Sequence, residues 1–218
     1  MLQRLPVVVP AEPGRPDLAG PDHPMRKVTQ QIAFEATGWT DERRGKVAAL
    51  FDGLAESWQQ RDVANRHEAL IDALDRGGPF APGLCVELGS GTGAFTDDVI
   101  ARFSDVVSVD LSFEMLRRAP SQAAPRVQAD AGDLPFVDGS VGVVVLVNMF
   151  LFPGELDRVL APGGAVVWVS ALGDRTPIYL DAESVERALA PFGGPWDGVA
   201  SAAGWGTWAV FRRATATG

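Results

Sequence analysis

The chain has 218 residues, of which 46% are hydrophobic and 22% are charged, so it can bury the core of one full α/β domain or of two small ones. Its 19 basic and 28 acidic residues give a formal net charge of −9, which disfavours nucleic acids and anionic membranes as partners because both would be repelled. The single cysteine excludes an intrachain disulfide and a zinc site with several cysteine ligands, and we expect no metal site. The early apolar run at residues 7–9 is far shorter than a signal-peptide core, so we expect a soluble, cytoplasmic protein.

The first eighty residues predict an arm followed by helices. Six prolines fall within residues 1–24 and no periodic pattern competes with them, so this segment is predicted to be disordered or loosely packed. Apolar side chains then recur at three- and four-residue steps over residues 47–58 and again over residues 67–74, which predicts two helices. Residues 25–80 are therefore expected to form a helical cap.

The rest of the chain alternates apolar runs with helical segments. The runs lie at residues 83–88, 106–110, 126–129, 141–147 and 165–169. The intervening helices are predicted at residues 92–103, 112–118, 155–160 and 181–190. Apolar runs without polar alternation are typical of parallel strands that helices cover on both faces. The alternation predicts right-handed βαβ units and a doubly wound, mostly parallel α/β sheet of the Rossmann-like kind.

The pattern changes towards the end of the chain. Residues 199–202 and 207–211 flank a glycine-rich turn, which predicts an antiparallel hairpin. With this hairpin the sheet would have seven strands. We therefore expect residues 81–218 to form one α/β domain that the hairpin closes.

The densest chemical signal is a glycine turn between a predicted strand and a predicted helix. Residues 87–93 read Glu-Leu-Gly-Ser-Gly-Thr-Gly, and such glycines let a ligand lie against bare backbone at the start of a helix. Asp110 ends the next predicted strand, where a carboxylate can accept hydrogen bonds from both hydroxyls of a ribose. The combination predicts a nucleoside-binding crevice at the carboxyl ends of parallel strands.

Two classes of cofactor fit this crevice. The spacing Gly89-x-Gly91-x-x-Ala94 also satisfies a relaxed dinucleotide fingerprint, so an NAD-dependent oxidoreductase is an alternative. Against NAD, the Glu87 carboxylate immediately precedes the turn and would repel a pyrophosphate, whereas it suits a cationic ligand. The turn also follows some eighty residues of arm and helix, and no second domain for a hydride partner is evident.

Five motifs occur in a fixed order along the chain. They lie at residues 51–58 (FDGLAESW), 87–93 (ELGSGTG), 110–116 (DLSFEML), 130–136 (DAGDLPF) and 160–164 (LAPGG). With these motifs the sequence resembles the class I S-adenosylmethionine-dependent methyltransferases of the small-molecule type, over about residues 45–213. The resemblance implies S-adenosylmethionine as cofactor and methyl transfer to an oxygen, nitrogen or carbon of a small molecule.

The resemblance also implies roles for individual residues. Glu87 and the backbone of residues 89–93 would hold the methionine end and the sulfonium region of the cofactor. Asp110 would bind the ribose, and Asn148 would line the methyl-transfer face. Trp58 would cover the cofactor from the N-terminal helices.

At the other end of the cofactor, Leu111 and Met115 would pack on the adenine. The Asp130 side chain would meet the exocyclic amine, and the Ala131 amide a ring nitrogen. The full set of implied cofactor contacts is Trp58, Glu87, Gly89, Ser90, Gly91, Gly93, Asp110, Leu111, Met115, Asp130, Ala131 and Asn148.

The sequence marks no catalytic residue clearly. His67 is a candidate base and Tyr179 a candidate substrate contact, but ordinary packing explains each residue as well, and for His67 we favour packing. Residues 148–153 lack the histidine that many small-molecule members carry, and the crossover helix after them is short. These departures favour an alternative in which the protein binds S-adenosylmethionine as a structural or regulatory group without transferring methyl.

Overall fold

The computed structural model describes residues 1–17, 20–58, 65–120 and 124–213. Within these residues eight strands join in one sheet. In chain order they are β1 (Leu2–Arg4), β2 (Leu84–Leu88), β3 (Val106–Asp110), β4 (Arg126–Gln128), β5 (Val141–Val147), β6 (Leu160–Ser170), β7 (Trp196–Ala203) and β8 (Gly206–Arg213). Across the sheet the order is β1-β7-β8-β6-β5-β2-β3-β4.

The strand directions confirm the predicted fold class. β8 pairs antiparallel with β6 and with β7, and the other neighbouring pairs are parallel. The sheet is therefore doubly wound, mostly parallel and closed by a C-terminal antiparallel hairpin. It has eight strands instead of the predicted seven because Leu2–Arg4 adds a strand beside β7.

Seven α-helices accompany the sheet in the part of the chain that the structure describes. They are α1 (Pro24–Phe34), α2 (Asp41–Trp58), α3 (Glu68–Arg76), α4 (Thr96–Ile100), α5 (Phe113–Arg118), α6 (Pro153–Val159) and α7 (Ala182–Leu189). Side-chain caps stabilise the starts of α5 and α7, among others: Ser112 Oγ accepts a hydrogen bond from Met115 N, and Asp181 Oδ1 accepts one from Ser184 N. Among the described helices, none combines the length and the apolar character needed to cross a membrane.

Strand β5 lies at the centre of the core and is buried along its whole length. Val144 and Leu146 pack with side chains of α6 and α7 on one face of the sheet. Val143 and Val145 pack with α3 and α4 on the other face. Because successive side chains of a strand point to opposite faces, a strand covered on both sides must be apolar at every position. This explains the unbroken valine-rich run.

The N-terminal residues differ from the expectation of a disordered or loosely packed arm. β1 pairs in parallel with β7, and the chain continues along the same edge, where Leu5 N donates to Ala200 O at 2.9 Å. Gly204 N then donates to Val9 O at 3.0 Å, and Trp205 Nε1 donates to Glu12 O at 2.7 Å. A sheet edge offers unpaired backbone groups, and here a proline-containing segment satisfies part of them.

The predicted helical cap of residues 25–80 divides into two parts. Helix α3 packs against β6, β7 and β8 and contributes to the core on that face, so it belongs to the helical layer of the sheet. Helix α2 contacts α5, and α1 contributes Ile32 and Ala33 to the core on the opposite face. Only α1 and α2 remain to cover the carboxyl ends of the strands.

The segment after the glycine turn also differs from its prediction. A helix was expected over residues 92–103, but α4 covers only Thr96–Ile100. The positive φ angles of Gly91 and Gly93 (57° and 81°) prevent the helix from starting earlier. The turn lies beside β2, which pairs with β3 on one side and with β5 on the other. At such a reversal of strand order a crevice opens at the carboxyl ends of the strands.

Candidate functional site

A cavity of about 610 Å³ occupies this crevice. Every residue of the predicted cofactor set except Glu87 lines it. We distinguish two parts by the chemistry of their walls. The polar half consists of the backbone of residues 89–93 with Asp110 and Asp130. The apolar half consists of His23, Met25, Trp39, Phe150, Phe152 and Ile178.

The glycine turn forms the floor of the polar half with its backbone. Gly89, Gly91 and Gly93 all have positive φ angles, where an L side chain is strained. A methyl group added at Gly89 would lie 2.5 Å from Met149 Sδ, so the Met149 side chain would have to move to make room for it. A ligand in the polar half therefore faces the bare backbone of these three glycines.

Asp110 is held against the turn by two backbone amides. Its Oδ2 accepts a hydrogen bond from Gly91 N at 2.8 Å, and its Oδ1 accepts one from Ser112 N at 2.8 Å. Burial raises the pKa of this carboxyl, although the two amides oppose the rise. Each carboxylate oxygen has a second lone pair, so both oxygens can still accept from a ligand hydroxyl.

Glu87 lies beneath the turn and not in the cavity wall. It is 2% exposed, and its Oε2 accepts hydrogen bonds from Thr96 Oγ1 at 2.7 Å and from Ser108 Oγ at 2.9 Å. Burial raises its pKa to about 7, against the opposing effect of the two hydroxyl groups. The side chain thus joins the turn to α4 and β3.

Asp130 is already surrounded by hydrogen-bond donors. Trp39 Nε1 donates to both of its carboxylate oxygens, at 2.9 and 3.0 Å, and Gly132 N donates to Oδ1 at 2.8 Å. Arg44 Nη1 lies 3.3 Å from Oδ2. For Asp130 to accept a hydrogen bond from an adenine amine, as the family resemblance implies, one of these donors has to give way.

Asn148 marks the wall where β5 ends. It has a φ angle of +53°, a left-handed conformation that asparagine tolerates better than most residues. Its Oδ1 accepts a hydrogen bond from Ala171 N at 2.8 Å, which ties the end of β5 to the chain after β6. The side-chain amide nitrogen remains as a donor on the cavity wall.

Curated relatives of known name match the region that builds this cavity. The biotin biosynthesis bifunctional protein BioHC of Cellvibrio japonicus is 34% identical over 62% of this chain and 28% of its own length. Malonyl-[acyl-carrier protein] O-methyltransferase of Methylococcus capsulatus is 31% identical over 63% of this chain and 53% of its own length. The 23S rRNA (guanine(748)-N(1))-methyltransferase of Streptomyces fradiae is 32% identical over 50% of this chain and 41% of its own length. The chain thus spans from about a quarter to about half of the length of these relatives.

The family and fold comparisons agree with them. A family described as a methyltransferase domain matches residues 86–168, which run from β2 into β6. The solved structure of a DhpI–SAH complex has a TM-score of 0.62 at 18% identity, covering 80% of this chain and 98% of that chain. A methyltransferase structure from Thermotoga maritima has a TM-score of 0.60 at 15% identity, covering 77% and 99%. Residues 86–168 thus match a methyltransferase domain, and the relatives that match this region support a class I S-adenosylmethionine-dependent methyltransferase. The NAD-dependent alternative is therefore set aside.

The apolar half of the methyltransferase cavity joins segments that are distant in sequence. Trp39 contacts Phe152 edge-on, with ring centroids 5.2 Å apart, and Phe150 at 6.1 Å. Met25 and Ile178 pack in the same cluster. These walls come from α1, from the α1–α2 connection and from the loops that follow β5 and β6.

His23 is the histidine that lines the cavity, although it lies in the segment predicted to be a loose arm. Its Nδ1 accepts a hydrogen bond from Met25 N at 3.2 Å and caps α1. Because Nδ1 accepts this hydrogen bond, we assign the proton of the neutral ring to Nε2. No local pattern points to His23, because a single histidine in a proline-rich segment has no periodic context.

The two predicted catalytic candidates lie outside the cavity wall. His67 Nδ1 is 2.6 Å from Asp98 Oδ2, and its ring lies 4.9 Å from the Phe95 ring. Tyr179 lies under the Arg26 guanidinium, 4.6 Å from the ring centroid, and burial raises its pKa. Neither position supports a direct part in methyl transfer. Among the described residues, no group of His, Cys, Asp and Glu is arranged to hold a metal ion.

The cavity residues that sequence reasoning missed include the polar or aromatic side chains of His23, Trp39 and Arg66. Trp39 stands two residues before α2 begins, so an aromatic residue just ahead of that helix was a usable signal. Arg66 directly precedes His67. The sequence pattern marked His67 as a candidate but gave no signal for the arginine.

Proposed function

We propose that the chain transfers the methyl group of S-adenosylmethionine to a small, largely apolar molecule. The observation that carries this proposal is the composition of the cavity. The polar half of the cavity suits a nucleoside. The apolar half adjoins it, and none of the six residues that define the apolar half is an acid, a lysine or an arginine. A cofactor and an acceptor can therefore meet within one water-poor space.

The residues present fit the proposed cofactor. The cavity volume of about 610 Å³ lies within the range of about 300–1,000 Å³ that is usual for small-molecule and cofactor sites. The positive-φ glycines offer bare backbone to the thioether region of the cofactor. Asp110 retains acceptor capacity for the two ribose hydroxyls, whereas the share of Asp130 in binding adenine depends on release of one of its present donors.

When bound, S-adenosylmethionine supplies a methyl group on a sulfonium, which is electrophilic without further activation. The protein then has to align the acceptor and exclude water. Met149 lies against Gly89 and forms part of the boundary between the two halves. The side-chain amide of Asn148 can orient a polar atom of the acceptor at the end of β5.

The cavity favours an acceptor that needs little help from a base. Among the described residues of the wall, Asp110 and Asp130 each already accept hydrogen bonds from two or more donors, which makes them poor bases. His23 Nδ1 accepts a hydrogen bond from Met25 N, so the neutral ring presents the Nε2–H donor and no free lone pair. An attacking atom that ionises readily, such as a carboxylate or an acidic enol, suits this wall better than an unactivated alcohol.

The partner is proposed to be a small molecule in the cytoplasm. The net charge of −9 opposes binding of a nucleic acid, even though one of the matched relatives carries an rRNA in its name. Within the described wall, Arg66 alone is a lysine or arginine, so no basic track leads into the site.

Calorimetry with S-adenosylhomocysteine tests the cofactor site. Asp110→Asn replaces one acceptor oxygen by an amide nitrogen that faces a backbone donor, so S-adenosylhomocysteine affinity should fall about tenfold or more. Asp138→Asn is the control, since it removes an equal charge from an exposed carboxylate that pairs with Arg158. Unchanged affinity in Asp110→Asn would contradict the assignment of this carboxylate.

Isotope transfer from labelled S-adenosylmethionine into a panel of acidic and apolar metabolites tests the reaction. We expect label in an acceptor that carries a carboxylate or an enol. Tight cofactor binding with no transfer to any member of the panel would favour the alternative of a structural or regulatory cofactor.

A further inference from the structure

The donors that the structure describes around the Asp130 carboxylate approach it from different sides. Gly132 N donates to Oδ1 at 2.8 Å, and Arg44 Nη1 lies 3.3 Å from Oδ2. Trp39 Nε1 donates to both oxygens, at 2.9 and 3.0 Å. Of these three residues, Trp39 is the one that lines the cavity. A ligand that reaches Asp130 through the cavity therefore meets the indole first.

We propose that the Trp39 indole is a latch on the adenine site, which the exocyclic amine of adenine displaces from Asp130 when the cofactor binds. This inference rests on the proposed function, because it takes S-adenosylmethionine as the ligand and Asp130 as its adenine contact. The exchange replaces one neutral N–H donor by another on the same carboxylate. Trp39 is thus a positioning residue that acts through Asp130.

The other two donors are less free to leave. The Gly132 amide belongs to the turn after β4, in which Asp133 N also donates to Asp130 O at 3.0 Å. Arg44 Nη2 pairs with Asp41 Oδ1 at 3.0 Å, which holds the guanidinium at the start of α2. Release of Arg44 would also separate a cation from a carboxylate that is only 14% exposed, whereas release of the indole leaves this charge pair intact.

The indole lies closely against the turn that carries Asp130. A methyl group added at Gly132 would lie 3.0 Å from Trp39 Cδ1 and 3.3 Å from Trp39 Nε1, so the glycine leaves room for the ring. The same ring contacts Phe152 edge-on, with centroids 5.2 Å apart, and Phe150 at 6.1 Å. One side chain therefore touches the adenine end of the polar half and also forms part of the apolar half.

This double contact links the two ligand sites. An indole that leaves Asp130 has to move relative to Phe150 and Phe152, because the ring is rigid and carries both contacts. Binding of the cofactor then changes the wall that faces the acceptor. The apolar half would take its working shape only after adenine is in place.

A binding cycle with two ligands tests the exchange without measuring methyl transfer. The ligands are S-adenosylhomocysteine and its analogue with purine in place of adenine, which differs only in lacking the exocyclic amine. In Trp39→Phe no indole competes for Asp130, so calorimetry should give about tenfold tighter binding of S-adenosylhomocysteine than in the wild type. The purine analogue offers no amine to Asp130, so its affinity should agree within about twofold between the two proteins.

The sign of the change separates a latch from a residue of the wall. If Trp39 only packs against the ligand or supports the fold, its replacement should weaken S-adenosylhomocysteine binding. Trp205→Phe is the matched control, since its Nε1 donates to the Glu12 carbonyl at the surface, and it should bind as the wild type does. Trp39→Met also removes the donor but packs differently, and it should show the same gain. If Trp39→Phe does not fold, Trp39→Met decides the matter.

Tryptophan fluorescence tests the movement in the wild-type chain. Because the chain has six tryptophans, the quantity to compare is the difference between the two ligands. S-adenosylhomocysteine should change the emission more than the purine analogue does, and this difference should disappear in Trp39→Phe. An equal change with both ligands would show that the indole does not respond to the amine and would contradict the exchange.

The outcomes separate this proposal from the proposed function. A wild-type chain that binds neither ligand would contradict the cofactor assignment itself. A wild-type chain that binds S-adenosylhomocysteine, together with Trp39 variants that bind it equally or more weakly, would contradict only the latch. A gain of the same size for both ligands in Trp39→Phe would also contradict it, because the amine would then have no part in displacing the indole.

Discussion

The polar and apolar halves of the cavity differ in how the chain builds them. The polar half takes its shape from backbone: three glycines with positive φ and a carboxylate that two backbone amides hold. The apolar half takes its shape from side chains such as Trp39, Phe150 and Phe152, which come together from distant segments.

This difference has a consequence for how each half tolerates change. Backbone geometry at a glycine turn has few alternatives, so substitutions there should affect folding and ligand binding together. Apolar walls can be repacked with side chains of similar volume at modest cost. The polar half is therefore suited to a constant cofactor, and the apolar half to acceptors that differ between related proteins.

Gly89→Ala should have the largest effect on stability and ligand binding, because the backbone at this position forms the wall of the polar half. The residue has a φ angle of +70°, and the added methyl would lie 2.5 Å from Met149 Sδ. We expect a loss of about 2–5 kcal/mol in the free energy of unfolding, from backbone strain and overpacking, and loss of S-adenosylhomocysteine binding. Gly139→Ala is the control: its φ angle is +66° and the space around it is open. It should lose only about 1–2 kcal/mol and bind normally. Equal losses in urea denaturation would contradict the steric argument.

The stability of the polar half should also depend on pH through Glu87. Burial raises the pKa of this carboxyl in the folded state from its ordinary value of 4.5 to about 7. Between these values the folded state holds a proton that the unfolded state has released, so stability falls as pH rises, by about 1.4 kcal/mol per unit at most. Below pH 4.5 and above pH 7 the contribution is constant.

Glu87→Gln removes this titration and should flatten the dependence. Relative to the wild type, the free energy of unfolding of Glu87→Gln should rise by about 3 kcal/mol from pH 4.5 to pH 7. Glu56→Gln, on an exposed position of α2, is the control and should retain the wild-type slope. Parallel pH profiles for wild type and Glu87→Gln in urea denaturation would show that the Glu87 carboxyl titrates alike in both states.

Much of the polar half could be predicted because its signals are local. The run at residues 141–147 became β5 with the same bounds, since a strand buried on both faces has to be apolar throughout. The glycine turn and Asp110 also lie together as their spacing indicated. Their roles in binding the cofactor stay predictions until a ligand is measured.

The rest depends on contacts that no local pattern carries. β1 has three residues, and its partner β7 begins almost two hundred residues later, so only tertiary pairing stabilises it. Helix α4 is shorter than its periodicity indicates, because the positive-φ glycines continue the turn up to its start. His23 reaches the cavity only because the segment before α1 packs against the fold.

Trp39→Phe should have a moderate effect on stability and tests the contact between the apolar and polar halves. Phenylalanine keeps a ring against Phe150 and Phe152 but removes the indole N–H that donates to Asp130. We expect a loss of about 1.5–3 kcal/mol in the free energy of unfolding, measured by urea denaturation, as for a hydrogen bond to a charged group. Trp205→Phe is the matched control, since its Nε1 donates to the neutral Glu12 carbonyl at the surface. A larger loss in Trp205→Phe would contradict the importance of the Asp130 contact.

His23→Asn should have the smallest effect on stability and is the cleanest test of whether the two halves act separately. The asparagine Oδ1 can accept the Met25 amide and keep the cap of α1, so the free energy of unfolding should change by no more than about 0.5 kcal/mol. His23→Ala, which loses the cap, should cost about 0.5–2 kcal/mol. Because the polar half is untouched, S-adenosylhomocysteine affinity should remain within about twofold in both variants, while the apparent KM for an acceptor found by isotope transfer should rise in both. A loss of S-adenosylhomocysteine affinity as large as that of Asp110→Asn would mean that the segment before α1 shapes the polar half as well, and the division of the cavity by ligand would be wrong.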